Sequence, residues 1–226
     1  MVRSIPFERL VVVWLLLASP ALGAKEGFSV TIGVGGGIWN MDRGSLHKVV
    51  DKIDAPDVPN GDAERVLETL SDGLALRFAM AYNIEGYASI EAGITAHGWN
   101  LGDTGSIGGS GHVGGVVHFH PFQLFMPERS FDASVFLGGS YSIMGGGHDD
   151  EDFDRGLDGG ALEFGFTGRY MPIPWLSFGG EIRFYFPFYD RWHRDWDDDI
   201  HYALDSSPDC MFLTLLFLTT FHFQAG

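Results

Sequence analysis

The stretch Leu213-Thr214-Leu215-Leu216-Phe217-Leu218-Thr219-Thr220-Phe221-His222-Phe223 decides the fold. Every second residue, Leu213, Leu215, Phe217, Thr219, Phe221 and Phe223, falls in one row that is apolar except for a single threonine. A period of two is the period of a strand, and an apolar row marks the side that meets an apolar medium. Seven earlier segments repeat the alternation, with Gly, Ser, Thr, Arg or Glu in the second row. The clearest pairs Leu176, Phe178, Ile182, Phe184 and Phe186 against Ser177, Gly179, Glu181, Arg183 and Tyr185. Next is Leu162, Phe164, Phe166 and Tyr170 against Glu163, Gly165, Thr167 and Arg169. Apolar outside and polar inside inverts a water-soluble barrel and suits one set in lipid.

The other strands are expected near Phe28–Ile38, Leu74–Asn83, Ala88–Thr95, His112–Phe119 and Ser134–Ile143. Open sheet edges are not tolerated in hydrocarbon, so the eight strands must close. The predicted fold class is all-β: an eight-stranded antiparallel transmembrane up-and-down β-barrel, whose interior side chains can just fill. Connections at 84–87, 121–132 and 171–175 are short. Those at 40–73, 98–111, 145–160 and 187–209 are longer. This asymmetry puts the short set and both termini on the periplasmic side. In the first long connection, Leu46, Val49, Val50 and Ile53 have helical spacing after Ser45, read as an N-cap. A second short helix is expected between Asp62 and Leu70.

Residues 1–23 read as an export signal and 24–226 as the barrel domain. Arg3 and Arg9 precede the apolar run Leu10–Ala18, and Ala21-Leu22-Gly23 supplies small residues for cleavage. Cys210 is the only cysteine, which leaves no disulfide within the chain and no lipid attachment at the cleavage site. No further domain is expected after the last strand. The net charge is −16; a leader holding two arginines and one glutamate leaves −17 on the mature chain. That charge excludes nucleic acid as a partner.

Six charges fall in the inward rows: Arg77, Glu91, Glu163, Arg169, Glu181 and Arg183. Three are positive and three negative, as a closed interior needs, because an unpaired buried charge costs several kcal/mol. A tight hairpin at 171–175 centred on Ile173 sets Glu163 opposite Arg183. A pore selective for one ion sign shows a one-sided ring instead.

Asp149, Asp150, Glu151, Asp152, Asp154 and Asp158 crowd one long connection, and Asp195, Asp197, Asp198 and Asp199 another, beside Trp192 and Trp196. Asp150, Asp152 and Asp154 have the alternate spacing of a calcium loop, but Arg155 and Ala161 stand where the loop needs Gly and Glu. Solvated acidic loops are the first reading of these acids; a loop-bound divalent cation at Asp150, Asp152 and Asp154, shared with lipopolysaccharide phosphates, is the alternative. His112, His118 and His120 share one row, with His222 on the opposite wall, too dispersed for a metal centre. No resident cofactor is expected. Ser110, in Gly108-Gly109-Ser110-Gly111-His112, lacks the final glycine of a nucleophile elbow. Gly33-Val34-Gly35-Gly36-Gly37 does not complete a dinucleotide fingerprint. The chain is read as no enzyme. Trp39, Trp99, Trp192 and Trp196 at one end, and Trp175 with Phe28, Tyr82, Phe119, Tyr170, Phe221 and Phe223 at the other, suggest two interfacial belts.

With the export signal, the alternation and the aromatic end of Leu213–Phe223, the chain from about Lys25 resembles the small bacterial outer-membrane β-barrels of the OmpA/OmpX transmembrane-domain and OmpW-like porin kind. The resemblance implies a Gram-negative outer-membrane location and recognition of the last strand by the barrel-insertion machinery. It implies lipid and lipopolysaccharide as surroundings. The chain departs from the pattern in ending on Gln224-Ala225-Gly226. The expected function is a structural or interaction role in the cell envelope, by a monomer with a salt-bridged lumen and acidic outer loops. The alternative is a narrow porin-like channel for small or apolar solutes, supported by the inward Phe136, Phe212, Leu216 and Leu218.

Overall fold

The structure, a computed structural model, describes residues 27–50, 72–84, 86–125, 130–148, 155–195 and 200–224, except 102–105. The expected signal at 1–23, the second helix at 62–70 and Asp150, Asp152 and Asp154 lie outside the described residues.

The alternating segments fold as nine antiparallel strands: β1 Gly27–Met41, β2 Gly73–Ile84, β3 Ala88–Leu101, β4 Ser106–Phe119, β5 Phe131–His148, β6 Arg155–Ile173, β7 Leu176–Asp195, β8 Ile200–Ala203 and β9 Cys210–Gln224. Each of β1 to β7 pairs with its neighbour in sequence, and β9 pairs with both β7 and β1. That closes an eight-stranded ring; β8 only extends the end of β7. Two short helices join the frame: α1 Arg43–Val50 after β1, and α2 Pro121–Phe125 between β4 and β5.

The predicted parity holds around the ring. Ile32, Leu76, Ile90, Val117, Leu137, Phe166, Ile182 and Phe217 are all 42 % or more exposed, so their row faces outward. Their neighbours Thr31, Arg77, Glu91, Val116, Phe136, Thr167, Glu181 and Leu216 are buried inside. So wide an apolar girdle is far beyond what water tolerates on a monomer. Its height fits a bilayer, which tilted strands of about 10 residues cross.

Three expectations are corrected. First, most of the connections at 98–111 and 145–160 is strand, since β3 runs to Leu101, β4 starts at Ser106, β5 runs to His148 and β6 starts at Arg155. Second, the β6–β7 hairpin pairs Ile173 with Leu176, with a register shift between Tyr170 and Ile173. Glu163 therefore faces Tyr185, not Arg183, and Gly165 faces Arg183. A slip of two residues preserves which face each side chain takes. Third, Asp42 caps α1: its Oδ1 accepts from Gly44 N at 3.1 Å, and its carbonyl from Ser45 N and Leu46 N. Ser45 instead tethers the helix, donating to the Asp42 carbonyl and accepting from Asp209 N at 2.9 Å.

Candidate functional site

The lumen is the candidate site, and its contents change with height. At mid-height, five of the six predicted charges meet. Arg183 of β7 donates from Nε to Glu181 Oε1 at 2.8 Å, from Nη1 to Glu163 Oε2 at 2.5 Å and from Nη2 to Glu91 Oε1 at 3.0 Å. Arg77 of β2 donates to Glu91 Oε1 at 2.5 Å and to Thr95 Oγ1 at 2.6 Å, and its Nε lies 3.6 Å from Glu181. All five are buried. In a ring ordered β1 to β7 then β9, β3 and β7 are opposite walls, so the Arg183–Glu91 pair spans the barrel. The Arg183 guanidinium also lies 4.2 Å from the Phe136 ring centroid. Gly165 makes that packing fit: a Cβ there sits 2.5 Å from Phe136 Cζ.

Arg169 joins none of these pairs. It lies toward the end that carries the termini, in cross-strand register with Asp132 and Gly179. That end is a polar layer. His120 bridges Asp132 at 2.7 Å and Ser89 at 3.1 Å, while His118 reaches Ser134 Oγ and sits 3.4 Å from Glu91. His222 contacts Ser177 Oγ at 2.9 Å. The alternating histidines are thus lumen-lining, as the strand parity predicts.

Above the ionic layer the lumen becomes aromatic. Tyr185 donates across the barrel to Thr95 Oγ1 at 2.9 Å and stacks on His112 at 4.0 Å between ring centroids. Tyr189, Phe212, Met144, Leu157 and Trp192 pack over it, and Leu46 of α1 inserts into this cluster with no exposed surface. Trp192 therefore belongs to the core and not to an interfacial belt. A register shift between Asp158 and Gly159 inserts one residue in β7, so Tyr189 and Trp192 both point inward. Trp39 likewise packs against this cluster. Trp175, at the opposite end, is 55 % exposed, as a belt residue is.

Asp158 is no solvated loop acid. It is buried against Tyr141, Arg191 and His193, the last through a 2.7 Å contact with Nε2. The inward apolar residues do not merge into one greasy patch. Leu216 and Leu218 pack with Ala75, Phe136 lies beneath Arg183, and Phe212 belongs to the aromatic layer. Sequence reasoning missed His97, which hydrogen-bonds Ser110 Oγ at 2.8 Å. It follows Glu91 and Thr95 in the inward row of β3, so continuing the parity past the expected strand end finds it. Among the described residues, no three His, Cys, Asp or Glu side chains are placed to hold a metal ion.

No protein-family model matches the chain, and no curated protein matches it. Solved structures do. A major outer membrane protein from Thermus thermophilus superposes with a TM-score of 0.54 at 12% identity, covering 87% of this chain and 99% of that one. Neisserial surface protein A gives 0.49 at 12% identity over 87% and 97%. Ail, the attachment invasion locus protein of Yersinia pestis, gives 0.48 at 10% over 88% and 99%. The likeness to the Thermus protein is one of fold. Fold and girdle together define the class: a small transmembrane β-barrel of the bacterial outer-membrane type.

Proposed function

We propose that the chain is a non-conducting outer-membrane barrel with a structural or interaction role in the cell envelope. The observation that carries this reading is the Arg183–Glu91 pair, which joins opposite walls through the middle of the lumen. A hydrated passage would have to part several buried, charge-assisted hydrogen bonds at once. The aromatic layer and Leu46 add a second barrier toward the far end. The end with the termini faces the periplasm in this reading. The far end, with its acidic connections, faces out and contributes surface charge and cation association near lipopolysaccharide.

The inward apolar residues are divided between separate layers by the ionic network, which favours this over a lumenal site for apolar solutes. Planar-bilayer recording of the purified chain tests the reading. The expected result is baseline current at moderate voltage. Stepwise openings that follow solute size would favour the porin-like alternative.

A further inference from the structure

The apolar girdle is not level. In register across β5, β6 and β7, its outward row passes through Ala133, Gly168 and Gly180 and ends against Phe217 of β9. The next outward residues toward the far end are Val135, Phe166 and Ile182; those toward the termini are Phe131, Tyr170 and Phe178. Two ranks of large side chains therefore flank a floor that has almost none. The slot so formed measures about 810 Å³, within the range of pockets that hold small apolar ligands.

The barrel itself does not require glycine on this floor. A Cβ at Gly168 meets nothing nearer than Phe131 Cζ at 3.8 Å, and one at Gly180 nothing nearer than the Leu216 carbonyl oxygen at 3.8 Å. The inward glycines beside them differ: a Cβ at Gly165 runs into the Ile182 carbonyl, and one at Gly179 into the Gly168 carbonyl. Packing explains that inward pair and leaves the outward pair unexplained. Glycine weakens a strand interior and commonly marks a place where a ligand comes close.

We propose that the slot holds one acyl chain of an inner-leaflet phospholipid. It opens directly into the lipid-facing girdle, so its occupant comes from the hydrocarbon side. The flanking ranks stand four residues apart along each strand, about 13 Å between Cα positions, and their side chains narrow the gap further. A helix, about 10–12 Å across with its side chains, is too wide for it. The wall of a second barrel is convex and meets the flanking rings before it reaches the floor. A single hydrocarbon chain is thin and flexible enough to follow the slot. Its gain over bulk lipid is van der Waals packing against two walls at once.

Helix α2 borders the slot through Pro121 and Phe122, and the Phe122 ring meets Phe131 edge-on at 6.0 Å between centroids. Buried Gln123, whose N donates to the His120 carbonyl at 3.1 Å, pins the helix while Phe122, Leu124 and Phe125 stay exposed. Tyr170 and Trp175 are exposed at the same end, so the headgroup of such a lipid lies at the level of these interfacial aromatics. The choice of leaflet rests on the proposed orientation, with the termini in the periplasm.

The test refolds the chain into vesicles of phosphatidylethanolamine and phosphatidylglycerol, extracts it in mild detergent and counts retained lipid by native mass spectrometry. One phospholipid per barrel is expected. The double variant Gly168→Leu, Gly180→Leu fills the floor and should lower retention about tenfold by removing that packing, while heat-dependent gel migration still reports a closed barrel. Gly111→Leu, at an outward glycine of β4 whose Cβ would meet nothing within 4 Å, should leave retention unchanged. The unmutated chain decides the case in which the double variant does not fold: a phospholipid with a photoactivatable tail should crosslink to peptides of β5, β6, β7 and β9 in preference to β1–β4. No retained lipid, equal retention in the filled variant, equal loss in Gly111→Leu, crosslinks spread evenly round the girdle, or a dimer in place of the lipid adduct each overturn the slot. None of these readouts uses current, so a conducting barrel that keeps its lipid contradicts the non-conducting role and leaves the slot standing.

Discussion

The lower and upper halves of the lumen are closed by different physics. At mid-height closure is electrostatic: two arginines hold three glutamates across opposite strands. At the far end it is hydrophobic: Leu46, Trp192, Tyr189 and Phe212 pack without charge. Buried ion pairs contribute little net stability but are costly to break singly, whereas an apolar cluster loses stability in proportion to what is removed. The barrel therefore has one barrier that is brittle and specific and a second that is graded.

The largest effect should come from the brittle half. Arg183→Met leaves Glu163, Glu181 and Glu91 without their shared partner. It should cost about 3–5 kcal/mol, read by urea unfolding in lipid vesicles. A cost below about 1 kcal/mol would mean that the charges do not meet in the lumen. On the lipid face, Phe217→Arg should cost about 2–4 kcal/mol near the membrane midplane. In the graded half, Leu46→Ala should cost about 2 kcal/mol, and the chain should still carry no current because the ionic layer remains beneath. A conducting Leu46→Ala barrel would make α1 the only effective seal. The smallest effect is expected for Asp42→Ala, which removes the α1 cap at about 1 kcal/mol; protease sensitivity after β1 would report it before global unfolding does.

The two halves also differ in how far the sequence reveals them. Alternation in β2, β3, β6 and β7 identifies the inward charges, and five of the six predicted residues converge. Their pairing was less legible: Glu163 meets Arg183 diagonally, because the hairpin is centred near Pro174 and not Ile173. The upper half was harder to read. Runs such as Gly108-Gly109 and Gly145-Gly146-Gly147 have no side chains to show a period, so strand continued where a loop was expected. The extra residue at Asp190 reverses parity in β7 and hides Trp192 among the loop aromatics. Leu46 is visible as an apolar residue of a short helix, but nothing local indicates that it enters the barrel mouth. The cross-lumen contacts of His97 and Tyr185 depend on ring closure, which no single segment encodes.

Spin labels at neighbouring positions 216 and 217 of the last strand, in a Cys210→Ser background, give the most direct test of the arrangement from which both seals follow. In lipid vesicles the label at 217 should collide freely with dissolved oxygen and little with a water-soluble nickel reagent, while the label at 216 should be shielded from both. A shielded 217 beside a lipid-exposed 216 would contradict the account.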